Sequence, residues 1–208
     1  MIEQVKSLFG DKSTGIKLNP GEFKFFNKPT REIKFCEAVS YSFNVPVEID
    51  GENLGCPGAR RSLGFDQNDE KLSKIISEKT QIPVSYIKEG LNNIPVIKTP
   101  INNVVLGITE KMENEIIPDI YISYTRPENI MSFMHQTARM KIQPFIPPYS
   151  LHSICGNVFS RVYENNQISV SFGCPESRKF GGVQPEEAII GIPYNLLNLF
   201  LNFGNAES

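Results

Sequence analysis

The sequence predicts an α+β domain, a mixed sheet with helices, built from an internally duplicated helix–strand–Cys-loop–helix unit. Three observations carry this expectation. Strand-like and helix-like periodicities alternate along the chain without a strict βαβ rhythm. A short run containing Cys, Pro and Arg occurs twice, as Gly55-Cys56-Pro57-Gly58-Ala59-Arg60-Arg61 and as Gly173-Cys174-Pro175-Glu176-Ser177-Arg178-Lys179. Each run follows a further cysteine in a Cys-x-x-Val setting, Cys36 standing 20 residues before Cys56 and Cys155 standing 19 before Cys174. One pattern used twice thus accounts for all four cysteines and reads as an internal duplication. The 208 residues suffice for a single domain, 1–208, with pseudo-repeat halves at 20–142 and 149–204.

Taken in order, residues 2–9 read as a short helix and Asp11 to Gly15 as a polar break. Glu22 to Phe26 alternates as a strand, and Thr30 caps a helix from Arg31 whose inner face carries Ile33, Cys36, Ser40 and Phe43. Val45 to Ile49 is a strand with Pro46 near its start, which suits a sheet edge. The first Cys-Pro run opens a helix ending near Gly64. Asp69 to Lys79 and Ile82 to Leu91 are amphipathic helices, Val104 to Ile108 and Ile120 to Tyr124 are strands, and Pro127 opens another helix. The proline-rich Gln143 to Tyr149 joins the halves. The second half then repeats the plan: a helix over His152 to Tyr163, an alternating strand over Gln167 to Phe172, the second Cys-Pro run, a strand over Ala188 to Ile192, and a last apolar helix from Pro193.

Composition excludes several classes. A net charge of −2 lacks the basic excess of a general nucleic-acid binder. No stretch approaches the ~20 apolar residues of a membrane span, and the start of the chain shows no secretory signal. The expectation is a cytoplasmic protein, whose reduced cysteines serve metal or redox chemistry rather than disulfides.

Locally, a Pro after each Cys suits the first helical position, and the Gly before it permits a sharp turn. Each Cys then faces free backbone N–H groups at a helix start, with an Arg nearby, surroundings that lower a thiol pKa. The same geometry can bind an anion.

These stretches also carry a resemblance. Phe35-Cys36-Glu37-Ala38-Val39, Gly55 to Phe65, Gly173 to Arg178 and Ile190-Gly191-Ile192-Pro193 resemble the family catalogued as domain of unknown function 169, found in archaea and bacteria. The resemblance spans nearly the whole chain, rests most on the Cys-Pro-Gly-Ala-Arg run, and implies one intact domain without implying a chemistry.

The expected function is therefore drawn from the residues. Cys36, Cys56, Cys155 and Cys174 are the candidate metal ligands, for a [4Fe–4S] cluster in preference to a [2Fe–2S] cluster or a zinc site with four cysteine ligands. Arg60, Arg178, Gly58 and Ser177 are candidate cofactor-binding residues, the arginines expected to point at the site and offset thiolate charge. Redox or Lewis-acid chemistry on an anionic small molecule follows, with a redox protein as the other kind of partner. No catalytic residue is singled out. The alternatives are a metal-free thiolate enzyme, for which only His135 and His152 offer a base, and a protein that binds an anionic ligand on the two Cys-Pro-x-x-Arg turns. The spacing contains no Cys-x-x-Cys, so no known cluster signature settles the choice.

Overall fold

The computed structural model describes residues 1–21, 25–147 and 151–206. It opens with helix α1 (Ile2–Phe9), strand β1 (Ser13–Leu18), helix α2 (Phe35–Ser42), strand β2 (Val47–Asp50) and helix α3 (Pro57–Ser62). Helices α4 (Asp69–Thr80) and α5 (Val84–Asn92) form a hairpin before strand β3 (Asn103–Ile108). Strand β4 (Ile120–Thr125) and helix α6 (Pro127–Arg139) follow. A π-helix (Ser153–Ser160) runs into helix α7 (Arg161–Asn165), and strand β5 (Ser169–Ser171), helix α8 (Pro175–Phe180), strand β6 (Ala188–Pro193) and helix α9 (Tyr194–Ala206) complete the chain. The class is α+β, as expected.

The strands form one six-stranded sheet in the order β2-β3-β1-β4-β6-β5. Every pairing between these strands is antiparallel, so the expected mixed sheet is corrected to an antiparallel one. Parallel pairing is confined to single-residue bridges, Asn27 with Val47, Ile33 with Leu54 and Phe145 with Ser169. Strand β2 lies at one edge of the sheet, where Pro46 costs no ladder bond.

Both faces of the sheet are covered, which explains why β3, β4 and β6 read as nearly continuous apolar runs. Alternate residues Ile120, Ile122 and Tyr124 of β4 pack with α2, α3 and the π-helix. Tyr121 of β4 and Ala188, Ile190 and Ile192 of β6 pack on the other side with α1, α6 and α9. The cysteine-bearing helices therefore share one face. Gly191 lets the π-helix approach β6, since a Cβ there would stand 2.5 Å from Val158.

Four sequence expectations shift. Residues 13–15, expected to lie in a polar break over 11–15, open the central strand β1, because their hydroxyls are satisfied inside: Ser13 bonds Ser123 at 2.8 Å, and Thr14 Oγ1 accepts from Ser42 at 2.9 Å and from the Gly107 amide at 2.9 Å. The helix expected from Arg31 begins at Phe35, since Ile33 is held extended by its amide bond to Asn53 at 2.8 Å and by accepting from Gly55 at 3.0 Å. The strand expected at 22–26 falls partly outside the described residues, and Phe25 and Phe26 lie in a turn and bend. The helix over 152–163 is a π-helix for most of its length, with both Gly156 and Asn157 amides bonded to the His152 carbonyl. No described helix is long and apolar enough to cross a membrane.

Candidate functional site

The four cysteines are set by four elements. Cys36 lies in the first turn of α2, and Cys155 lies in the π-helix; both are buried. Cys56 and Cys174 are the N-caps of α3 and α8, half-buried, with Pro57 and Pro175 in the first helical turn as expected. The backbone amides of Ala59 and Gly58 face the Cys56 sulfur, and the Ser177 amide faces that of Cys174. Ser177 Oγ in turn accepts from the Cys174 amide at 2.8 Å, closing a capping box.

All four cysteines line one cavity of about 300 Å³. Its apolar wall comes from Phe35, Leu72, Ile75, Ile76, Leu151 and Ile154, and Lys34, Gly58, His152 and Ser177 also line it. Cys36 Sγ donates to the Glu176 carbonyl at 3.7 Å, which ties α2 to the second Cys-Pro turn. Among the described residues, no group of three or more His, Cys, Asp or Glu side chains is already arranged to hold a metal ion.

Cys56 is not the acidic thiol that the motif suggests, and Cys36 and Cys155 shift in the same upward direction. Burial, reinforced by the neighbouring Cys56 and Cys174, pushes Cys36 up to about 12. Burial also pushes Cys56 up, against the opposing pull of the Ala59 amide and Lys34, and pushes Cys155 well above the usual thiol range. Desolvation outweighs the helix amides here because the two arginines expected to help are directed elsewhere.

Arg60 and Arg178 lie outside the cavity lining and bond to backbone carbonyls. Arg60 donates to the Gly51 carbonyl and to that of Leu54 at 3.4 Å. Arg178 donates to Phe172 at 2.6 Å, Glu187 at 3.1 Å and Val183 at 3.4 Å, and also to Gln184. The arginine repeats in the motif because each copy clamps the loop around its own Cys turn. That is a correction to the expectation that both point at the site.

The charge beside the thiols is instead Lys34, the N-cap of α2, which the sequence reading passed over. Burial is the largest single influence and lowers its pKa, but the hydrogen bond and charge of Glu176, helped by Cys56 and Cys36, together outweigh it, so the net shift is upward and Lys34 stays charged. Its ammonium sits 3.0 Å from Glu176 Oε2 and 4.5 Å from the Phe180 ring centre.

His152 reaches the same cavity from a left-handed backbone conformation, φ 44°. Its Nδ1 is buried without a hydrogen-bond partner among the described residues. Burial, with Arg61 nearby, pushes the imidazole down to about 4, so it is neutral at physiological pH. His135, the other candidate base, lies on α6, across the sheet from the cysteine-bearing helices. Arg61 itself is a buried brace: it pairs with Asp69 at 2.7 Å and donates to the carbonyls of Leu91 at 2.9 Å and Ile94 at 3.1 Å. It thereby fixes the α4–α5 hairpin, whose α4 supplies part of the apolar wall.

Sequence comparisons find distant relatives. An uncharacterised protein of Methanocaldococcus jannaschii is 25% identical over 107 residues, which is 51% of this chain and 45% of that protein. The small ribosomal subunit protein bS1 of Staphylococcus aureus is 24% identical over 163 residues, 71% of this chain and 40% of that protein. The chain thus spans less than half the length of these relatives. No solved structure matches it. The decisive match is to a family model that runs from residue 14 to residue 202 and so takes in nearly all of β1, all four cysteines and β6. The chain belongs to the family of domain of unknown function 169, described as uncharacterised ArCR.

Proposed function

We propose that the protein binds an iron–sulfur cluster on Cys36, Cys56, Cys155 and Cys174, and that its chemistry acts on an anionic small molecule by electron transfer or Lewis-acid activation. One observation carries the reading: cysteines scattered from residue 36 to residue 174 line a single cavity. A set of soft sulfur donors in an apolar enclosure selects iron–sulfur clusters, zinc or copper(I) over hard cations. The thiols would lose their protons on binding, so loading is coupled to proton release and weakens at low pH. Cys56 and Cys174, half-buried at helix N-caps, are the ligands with room to turn inward. Lys34 would offset thiolate charge, the role first expected of the arginines. A reducing cytoplasmic setting suits four free thiols, and a redox protein would serve as electron source.

The same reading treats the two halves as copies of one unit. Its support is topological. With the halves redrawn from 20–142 and 149–204 to 13–108 and 120–193, each runs strand, helix, strand, Cys-Pro helix, strand, apart from the α4–α5 hairpin in the first and α6 in the second, and the sheet order is symmetric about the β1–β4 pair. Before the helix of each half, one residue makes an equivalent parallel bridge: Asn27 brackets Val47 through bonds to Pro46 and Glu48, and Phe145 brackets Ser169 through bonds to Ile168 and Val170. The sequences Val105-Leu106-Gly107-Ile108 and Ile189-Ile190-Gly191-Ile192 also fall on corresponding strands.

The test is anaerobic purification, or reconstitution with iron and sulfide, followed by visible absorption and analysis for iron, sulfide and zinc. Broad absorption that disappears in the single Cys→Ser variants is expected. Protein that stays colourless and iron-free after reconstitution overturns the reading, and stoichiometric zinc in its place assigns a zinc site held by the same four cysteines. The metal-free alternative keeps one point in its favour, the largely apolar wall, which suits a small-molecule ligand. Its thiolate-enzyme form loses support from the upward shifts of Cys36, Cys56 and Cys155.

A further inference from the structure

Helix α4 presents one face to the cavity, and that face is graded. Leu72, Ile75, Ile76 and Lys79 recur at spacings of three and four, so they form a single stripe along the helix. Leu72 is buried, Ile75 and Ile76 are half-buried, and Lys79 is exposed at the mouth. Leu151, which packs with Ile76 against the cluster around Leu72, and Ile154 extend the apolar surface. Lys79 has no ion pair among the described residues, whereas the other lysine of the lining, Lys34, is held by Glu176. The thiols are carried by α2, α3, α8 and the π-helix and not by α4.

We infer that the cavity takes an amphiphilic organic acid, a flexible hydrocarbon chain ending in a carboxylate. The chain would lie along Leu72, Ile75 and Ile76, and the carboxylate would meet Lys79 at the mouth. The inference rests on reading this cavity as the functional site and names the class of its anionic small molecule. A neutral hydrocarbon leaves Lys79 unused, and a small inorganic anion leaves the apolar stripe unused, so the two features together select a ligand with both parts. The cavity volume of about 300 Å³ sits at the small end of ligand pockets, which limits the chain to modest length.

The experiment is titration calorimetry of the 208-residue chain with butanoate, hexanoate, octanoate and dodecanoate, with 1-octanol as the neutral control. Iron is quantified on the same samples. Each buried methylene should raise affinity about fourfold until the cavity is full. Lys79→Glu changes an exposed side chain and should leave the melting temperature in place while weakening octanoate about fivefold and leaving 1-octanol unchanged. Ile76→Trp, which fills the wall, should abolish binding of both. Absence of saturable binding, affinity independent of chain length, or full octanoate affinity in Lys79→Glu overturns the inference. Iron retained without acid binding refutes this inference alone. Acid binding without iron refutes the cluster alone.

Discussion

A Cβ on Gly58 would stand 2.5 Å from His152 Nε2, so the glycine of the first Cys-Pro turn is the space into which the imidazole packs. Gly58→Ala should therefore overpack the cavity and cost about 1–3 kcal/mol, read as a shift in denaturant midpoint with unchanged slope. The second turn carries Glu176 at the equivalent position, so the two turns differ in what they shelter. His152 also sets a pH dependence. Its folded pKa of about 4 lies below the unfolded value of 6.5, so the unfolded chain binds the extra proton between these limits. Stability should be highest above pH 6.5 and fall as pH drops towards 4, by roughly 3 kcal/mol from this residue. His152→Gln should flatten the slope in that window. Glu37 and Asp50, whose pKa values are depressed, contribute only lower on the scale. An unchanged slope in the variant would show that the imidazole is solvated.

At the scale of elements, the two repeated arginines and Arg61 act as clamps with different targets. Arg178 holds four carbonyls flanking α8, and Arg60 holds two before α3. Arg178→Ala should destabilise by about 2–3 kcal/mol and Arg60→Ala by less. Arg178→Lys should recover under half of the loss, because an ammonium cannot span a fork of carbonyls. Equal midpoints for Arg60→Ala and Arg178→Ala would contradict this ranking. Arg61→Met removes a buried cation paired with Asp69 and bonded to Leu91 and Ile94. Hydrogen exchange should then quicken in α4 and α5 while the sheet stays protected, because the hairpin has a small core of its own around Leu72, Ile87 and Leu91.

At the scale of the whole molecule, the sheet is continuous through the antiparallel β1–β4 pair, Ser13 opposite Ser123 to Ile16 opposite Ile120. Each three-strand half, β2-β3-β1 or β4-β6-β5, ends in an unsatisfied edge at that seam. Fragments 1–111 and 112–208, cut in the turn after β3, should be poorly folded alone and regain native circular dichroism on mixing. A fragment that folds cooperatively by itself would show that the seam is dispensable. The cavity joins the halves as well, with Cys36 and Cys56 from one and Cys155 and Cys174 from the other. Fragments should therefore bind iron only when mixed.

Much of this was legible in local rules. Pro57, Pro127 and Pro175 mark true helix starts, and α4 and α5 follow from their apolar spacing. The apolar runs of β3, β4 and β6 mark buried strands, because each depends only on neighbours in sequence. The pairing of Cys36 with Cys56 and of Cys155 with Cys174 in one pattern was also visible. What the sequence could not decide depends on distance in space. The polar start of β1 becomes core because Ser42, Gly107 and Ser123 arrive from elsewhere to satisfy its hydroxyls. The Arg60 and Arg178 side chains turn to carbonyls because the folded loops bring those oxygens within reach. The Cys56 pKa rises because burial by the tertiary fold outweighs amides that belong to the motif itself. The sequence by itself determined which cysteines recur in one pattern and which turns hold Cys56 and Cys174. Only the tertiary structure decided that four cysteines share one cavity and that a lysine, not an arginine, stands beside them. The physical reason is that charge, desolvation and convergence are set by the residues packed around a group, which the chain order does not state.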